Sequence, residues 1–160
     1  MTMQTPELGY VAQTLLPIAV SGNVTVRVPP AQRKSRLRVL LVEDDEADIY
    51  LIRCALANNP RVAEVIGAHD GVEALELIEN GRANPDLAIV DLKMPRKDGL
   101  TLLKDFESRT GNTFPTVILT SSRAPGDAHL AKNHGAIKFL TKPDTLGKLS
   151  IALDQVISKV

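Results

Sequence analysis

Five short runs of aliphatic and β-branched residues recur along the chain, at Arg38–Val42, Ala63–Gly67, Leu87–Val90, Thr116–Leu119 and Ile137–Leu140. Their starts lie 25, 24, 29 and 21 residues apart. Between them the apolar positions change to helical spacing. Val72, Leu75 and Ile78 share one face while Glu73, Glu76 and Glu79 take the other. Leu100, Leu103 and Phe106 repeat that spacing, as do Leu146, Leu149, Leu153 and Ile157 in the last helix, and Asn80-Gly81 marks a helix end. Strand–helix alternation at this period predicts parallel strands joined by right-handed crossovers, with helices on both sheet faces. Leu87-Ala88-Ile89-Val90 and Val117-Ile118-Leu119 carry no polar interruption, as strands covered on both faces require. Residues 37–160 therefore read as an α/β domain built on a five-stranded parallel doubly wound sheet.

Residues 1–36 lack this period, and Pro6, Pro17, Pro29 and Pro30 punctuate them. Val24, Val26 and Val28 alternate with Thr25 and Arg27, and Ser21-Gly22-Asn23 offers a turn. The segment reads as an N-terminal extension and linker, either carrying a short hairpin from Leu15 to Val28 or flexible throughout. It is basic, with Arg27, Arg33, Lys34 and Arg36 against Glu7 alone, whereas the 160-residue chain balances 19 basic and 19 acidic residues. That balance offers no broad positive field for nucleic acid. The single cysteine, Cys54, reads as a core filler, excludes an internal disulfide framework and fits a reducing compartment. No apolar run approaches the length of about 18 residues that a membrane span needs. The expectation is a cytoplasmic protein with no membrane segment and no direct DNA binding.

In a parallel sheet all strands end on one edge, and ligands bind there. To that edge the runs deliver Glu43-Asp44-Asp45, Asp91, Thr120-Ser121-Ser122 and Thr141-Lys142-Pro143. Carboxylates gathered without a counter-charge repel one another, and a hard divalent cation relieves the repulsion. Oxygen donors without His or Cys point to Mg²⁺ or Mn²⁺, and Glu43, Asp44 and Asp91 fit an open site of that kind. Taken alone, the acidic triplet reads equally well as a helix N-terminus favoured by the dipole, and Asp45 and Asp48 are assigned to that role. Asp91 stands at a loop mouth where Pro95 delays the next helix and Gly99 permits a tight turn. A carboxylate beside a metal can attack a phosphoryl group and carry it as an acyl phosphate. Lys142 would bring a second cation to the phosphoryl oxygens and Thr120 a hydroxyl. Singly, each of these two reads as an ordinary loop residue.

Together, Leu40-Leu41-Val42-Glu43-Asp44-Asp45, Asp91-Leu92-Lys93-Met94-Pro95-Arg96-Lys97-Asp98-Gly99, Leu119-Thr120-Ser121 and Phe139-Leu140-Thr141-Lys142-Pro143 closely resemble the receiver domain of bacterial response regulators. The resemblance covers Leu37 to Val160. It implies the flavodoxin-like strand order 2-1-3-4-5, with Asp91 as phosphoacceptor. Mg²⁺ would then be held by Glu43, Asp44, Asp91 and the backbone carbonyl of Lys93. It further implies Thr120 as switch hydroxyl, Lys142 as phosphate-binding lysine, Phe139 as switch aromatic and a cis Lys142–Pro143 bond. Lys93 and Ser122 occupy positions whose side chains tune the lifetime of the acyl phosphate. Met94–Gly99 also resembles the small stand-alone regulators paired with bacterial phytochromes.

The function so implied is a stand-alone response regulator of a two-component phosphorelay. Its phosphoryl donor would be a phosphohistidine on a sensor histidine kinase or phosphotransfer protein. It would be a signalling protein, not a turnover enzyme, and would signal by protein contact, since no output module follows. Leu146, Ile151, Leu153, Val156, Ile157 and Val160 exceed one buried stripe and suggest a homodimer face on the last helix. The chief alternative is a receiver-like scaffold that works without phosphorylation. A phosphatase of the haloacid dehalogenase kind would want a carboxylate at Lys93, and a dinucleotide-binding enzyme would want glycines where Glu43-Asp44-Asp45 stand.

Overall fold

Alternation along each strand decides how this chain folds. In β3 (Leu37–Val42), Leu37, Val39 and Leu41 pack to one side while Leu40 and Val42 pack to the other. Leu87 and Ile89 oppose Ala88 and Val90 in β5 (Leu87–Val90) in the same way, and Val117 and Leu119 oppose Ile118 in β6 (Thr116–Thr120). A strand apolar on both faces needs helices on both, and the segments between supply them. The computed structural model describes residues 16–19, 25–28, 36–111 and 114–160.

Two units divide at Lys34–Ser35. In the first, β1 (Leu16–Ala19) pairs antiparallel with β2 (Thr25–Val28), Leu16 opposite Val28. The expected turn at 21–23 and the linker before Arg36 lie outside the described residues. In the second unit, β3 is followed by α1 (Glu46–Ala57), β4 (Val62–Ala68), α2 (Gly71–Glu79), β5, α3 (Gly99–Thr110), β6, α4 (Asp127–Asn133), β7 (Ala136–Thr141) and α5 (Leu146–Ile157). The five strands are parallel in the order β4-β3-β5-β6-β7, which is 2-1-3-4-5 within the sheet.

One core lies under α2, α3 and α4, around Leu40, Leu75, Leu102, Phe106 and Ile118. The other lies under α1 and α5, around Leu41, Leu56, Ile89, Leu153 and Ile157. Asp45, Asp70, Asp98 and Thr145 cap α1, α2, α3 and α5, each side chain accepting from N–H groups of the first turn. Gly81 follows the Asn80 cap in the left-handed region (φ 68°), which ends α2 as expected. The last helix differs from its expected stripe. Leu149, Leu153, Val156 and Ile157 are buried, but Leu146, the first residue of the helix, is 41% exposed. Cys54 is only half-buried. Among the described residues, no helix is long and apolar enough to cross a membrane.

Leu153 is 1% exposed within the α1–α5 core. Leu153→Ala is expected to cost about 2–5 kcal/mol of unfolding free energy, measured by urea denaturation. A loss below 1 kcal/mol would mean that α5 is not anchored there.

Candidate functional site

The ends of β3, β5 and β7 carry their sheet hydrogen bonding one residue further, so the backbone places the charged residues before their side chains find partners. The Glu43 N–H donates to the Ala68 carbonyl (3.0 Å), the Asp91 N–H to that of Val42 (3.0 Å), and the Lys142 N–H to that of Thr120 (2.8 Å). Glu43, Asp91 and Thr120 are buried, whereas Asp44 is exposed. Ligand oxygens of Glu43, Asp44 and Asp91 lie within 4.8 Å of one another.

Lys142 reaches into this group. Its Nζ lies 2.7 Å from Glu43 Oε2, 2.6 Å from Asp48 Oδ2 and 3.9 Å from Asp91 Oδ1. The Asp48 contact is a hydrogen bond. Glu43 Oε2 sits at ion-pair distance without hydrogen-bond alignment, so it and Asp91 Oδ1 are buried oxygens that accept no hydrogen bond. Burial pushes the Glu43 carboxyl above its ordinary range; Lys142 pulls it down and the charge of Asp91 pushes it further up. Burial works to lower the Lys142 pKa, but Asp48, Glu43 and Asp91 outweigh it and hold the ammonium above its ordinary value. A buried oxygen that accepts no hydrogen bond costs about 1–3 kcal/mol, a cost that the 2.7 Å ion pair with Lys142 offsets at Glu43 Oε2 more than the 3.9 Å one does at Asp91 Oδ1. Two of them beside an exposed third carboxylate form a hard, oxygen-only donor set that fits Mg²⁺ or Mn²⁺.

The loop after Asp91 is held tightly. The Lys93 N–H donates to Asp91 Oδ2 (3.3 Å) while the Lys93 side chain is exposed, and Leu92 and Met94 are buried. Gly99 is needed for close approach, not for the tight turn expected of it: a Cβ there would overlap the carbonyl oxygen of Asp91. The left-handed residue of this loop is Arg96 (φ 60°), a conformation that costs an L-residue about 1–2 kcal/mol. At the next strand end, Thr120 Oγ1 accepts from the Ser122 N–H (3.2 Å), and the Ser122 hydroxyl donates to Asp127 Oδ2 (2.5 Å). Phe139 is half-buried against the α2–α3–α4 core.

The structure thus brings together Glu43, Asp44, Asp91 and Lys142 and sets Thr120 at the end of the neighbouring strand. Two further expectations change. Asp45 does cap α1, but Asp48, assigned with it to the helix dipole, binds Lys142 across the site. The sequence signal was its place in the first turn after a strand end, where a side chain leans back over the sheet edge. The Lys142–Pro143 bond is trans, like every described peptide bond; trans is the lower-energy isomer by about 0.5–1 kcal/mol, and Lys142 reaches its carboxylates in that form.

Comparison with known proteins points to one family. The sequence model of the response regulator receiver domain matches residues 39–154. The response regulator MprA of Mycobacterium ulcerans (strain Agy99) is 38% identical over 113 residues, 71% of this chain and 47% of that protein, and MprA of Mycobacterium avium (strain 104) is 37% identical over the same shares. The chain spans about half the length of the curated relatives it matches. Among solved structures, the phosphorylated cyanobacterial phytochrome response regulator RcpA is 31% identical with a TM-score of 0.69, covering 76% of this chain and 91% of its own. The Mn²⁺-bound response regulator Rcp1 is 27% identical with a TM-score of 0.69, covering 76% and 92%.

Glu43 binds its proton more tightly folded than unfolded, so its contribution falls as pH rises from the ordinary 4.5 through the higher folded value. In chelator, Glu43→Gln is expected to be more stable than wild type at neutral pH, the difference shrinking toward pH 4. Thermal unfolding curves that coincide across that range would contradict the burial argument. Gly99→Ala is expected to lose about 1–3 kcal/mol in the same assay, because backbone, not a flexible side chain, must move.

Proposed function

The chain belongs to the response regulator receiver family, and on that premise we propose that it takes a phosphoryl group onto Asp91 from a phosphohistidine of a sensor histidine kinase or phosphotransfer protein. The observation that carries this reading is Asp91 Oδ1, a buried carboxylate oxygen with no hydrogen-bond donor, 3.9 Å from the Lys142 ammonium. That oxygen attacks phosphorus, the P–N bond to the donor imidazole breaks, and its electron pair leaves on the ring nitrogen, which then takes a proton. Bound through Glu43, Asp44, Asp91 and the Lys93 backbone carbonyl, Mg²⁺ would neutralise charge on the transferring oxygens.

Lys142 exchanges its hold on Glu43 and Asp48 for the phosphoryl oxygens, a short swing for a flexible stem. Thr120 turns its hydroxyl to the same oxygens and gives up the Ser122 N–H. Phe139 then moves toward the space Thr120 leaves and repacks the surface of α4, β7 and α5. A coupling of about 1–3 kcal/mol across that path changes partner affinity about 5- to 150-fold. Of the two lifetime-tuning positions, Lys93 has the free side chain, while the Ser122 hydroxyl is held by Asp127.

Protein contact is the readout we assign to these residues, since 37–160 carry three more acidic than basic side chains and give nucleic acid no electrostatic footing. The exposed Leu146 (41%) and Ile151 (61%) support a homodimer face on α5. Likeness to RcpA supports a bacterial phytochrome as the kinase partner, and the half-buried Cys54, alone of its kind, suits the cytoplasm.

With Mg²⁺ and acetyl phosphate, intact mass is expected to show one added phosphoryl group in wild type and none in Asp91→Asn. An unmodified mass under saturating donor would favour the phosphorylation-independent scaffold, and many equivalents turned over would indicate a phosphatase. Light scattering with and without beryllofluoride is expected to show dimer formed on activation; a monomer in both states removes the α5 face from the proposal.

A further inference from the structure

Residues 92–98 form neither helix nor strand, yet they contain the Lys93 carbonyl that the acceptor site requires in place. What stiffens them lies outside the site. Asp70 is 4% exposed and divides its carboxylate between two elements. Oδ1 accepts from the N–H groups of Val72 (2.8 Å) and Glu73 (3.0 Å), capping α2. Oδ2 accepts from Arg96 Nε (2.6 Å) and from Arg96 Nη2.

Arg96 is the one described non-glycine residue with positive φ. Glycine would take that conformation without strain, so an arginine held there is explained by what its side chain does. The next residue adds a second grip: the Lys97 stem lies so close over Gly71 that a Cβ there would come within 2.9 Å of it, and Lys97 Nζ pairs with Asp105 of α3. Two consecutive loop residues therefore fasten the loop to the first turn of α2 and to α3, three and four positions beyond Lys93.

We propose that the Asp70–Arg96 pair is a latch that positions the acceptor loop, setting the Lys93 carbonyl for the metal; the inference rests on the acceptor chemistry proposed above. Arg96 and Asp70 are positioning residues and touch neither metal nor phosphoryl group. Two parallel N–H donors on one carboxylate oxygen fix orientation as well as distance, which a lysine at 96 would not do. The plainer account is an ion pair that only adds stability. With the Arg96 side chain 59% exposed such a pair would add little.

The test separates the two accounts. Arg96→Gly removes the guanidinium while relieving the backbone, so thermal stability is expected to hold or rise. Mn²⁺ affinity, read from the electron paramagnetic resonance of free Mn²⁺, is expected to fall about 10-fold, the size seen when partners that orient metal ligands are lost. Phosphorylation by acetyl phosphate should slow at low Mg²⁺ and recover at saturation. Asp70→Asn, which keeps an oxygen for the α2 cap, is expected to weaken Mn²⁺ similarly, and the double variant no further than either single. Arg96→Lys should recover part of the loss. Wild-type Mn²⁺ affinity in Arg96→Gly or in Asp70→Asn, or additive losses, would overturn the latch alone. A wild-type protein that takes up neither Mn²⁺ nor a phosphoryl group would overturn the proposed function, and the latch with it.

Discussion

The burial of carboxylates where water cannot reach them is the constraint from which the rest of this site follows. Glu43 and Asp91 end adjacent strands of the sheet and are buried. Loss of hydration weighs most on the Glu43 carboxylate, and the charge of Asp91 adds a smaller push in the same direction. One ammonium group, on Lys142, is shared among Glu43, Asp48 and Asp91 and offsets only part of it. Full pairing would have given an inert ion cluster. Two buried oxygens instead accept no hydrogen bond, Glu43 Oε2 being held only by its ion pair with Lys142, and a donor set in that condition fits a cation. The sheet ladders running past the strand ends prevent the cluster from relaxing by spreading apart.

Much of this was legible because it depends on rules with short reach. Unbroken apolar runs such as Leu87–Val90 announced strands covered on both faces, and the 21- to 29-residue spacing announced crossovers. Once the strands were parallel, the residue types at their ends placed Glu43, Asp91, Thr120 and Lys142 on one rim without further information. The sheet order itself came from the resemblance, since spacing alone does not say which strands are neighbours.

What was not legible depends on side-chain direction or on one backbone angle. Asp48 had a sufficient explanation as an acidic first-turn residue, and only the reach of Lys142 from β7 gives it a second role. Gly99 was read through the conformational freedom of glycine, whereas its need is for space against Asp91, and the positive φ fell on Arg96. Asp70 carries no periodic signal, because a capping residue lies outside the helix whose pattern would reveal it. Leu146 had the right spacing for the stripe, but spacing alone does not show that the first residue of this helix stays 41% exposed.

Which way a signal can leave is set by the division of the core. Thr120 stands two residues after Ile118, on the face covered by α2, α3 and α4. Phe139 pairs in register with Ile118 and packs on that same face, one diagonal step from Thr120. Leu119 and Leu140 face α1 and α5 instead. The Thr120 movement proposed above would therefore be felt first by Phe139 and α4, not by α5. That helix is the weakest held of the five: α4 has seven residues, no side-chain cap, and Ala131 as its only buried residue. Few buried contacts make an element easy to displace. By contrast α5 is anchored through Leu149, Leu153, Val156 and Ile157 and packs against α1. In the proposed switch this asymmetry sets the weakly held α4 beside Thr120 and the anchored α5 beneath the surface proposed for self-association, so that small displacements at Thr120 would be taken up first by α4.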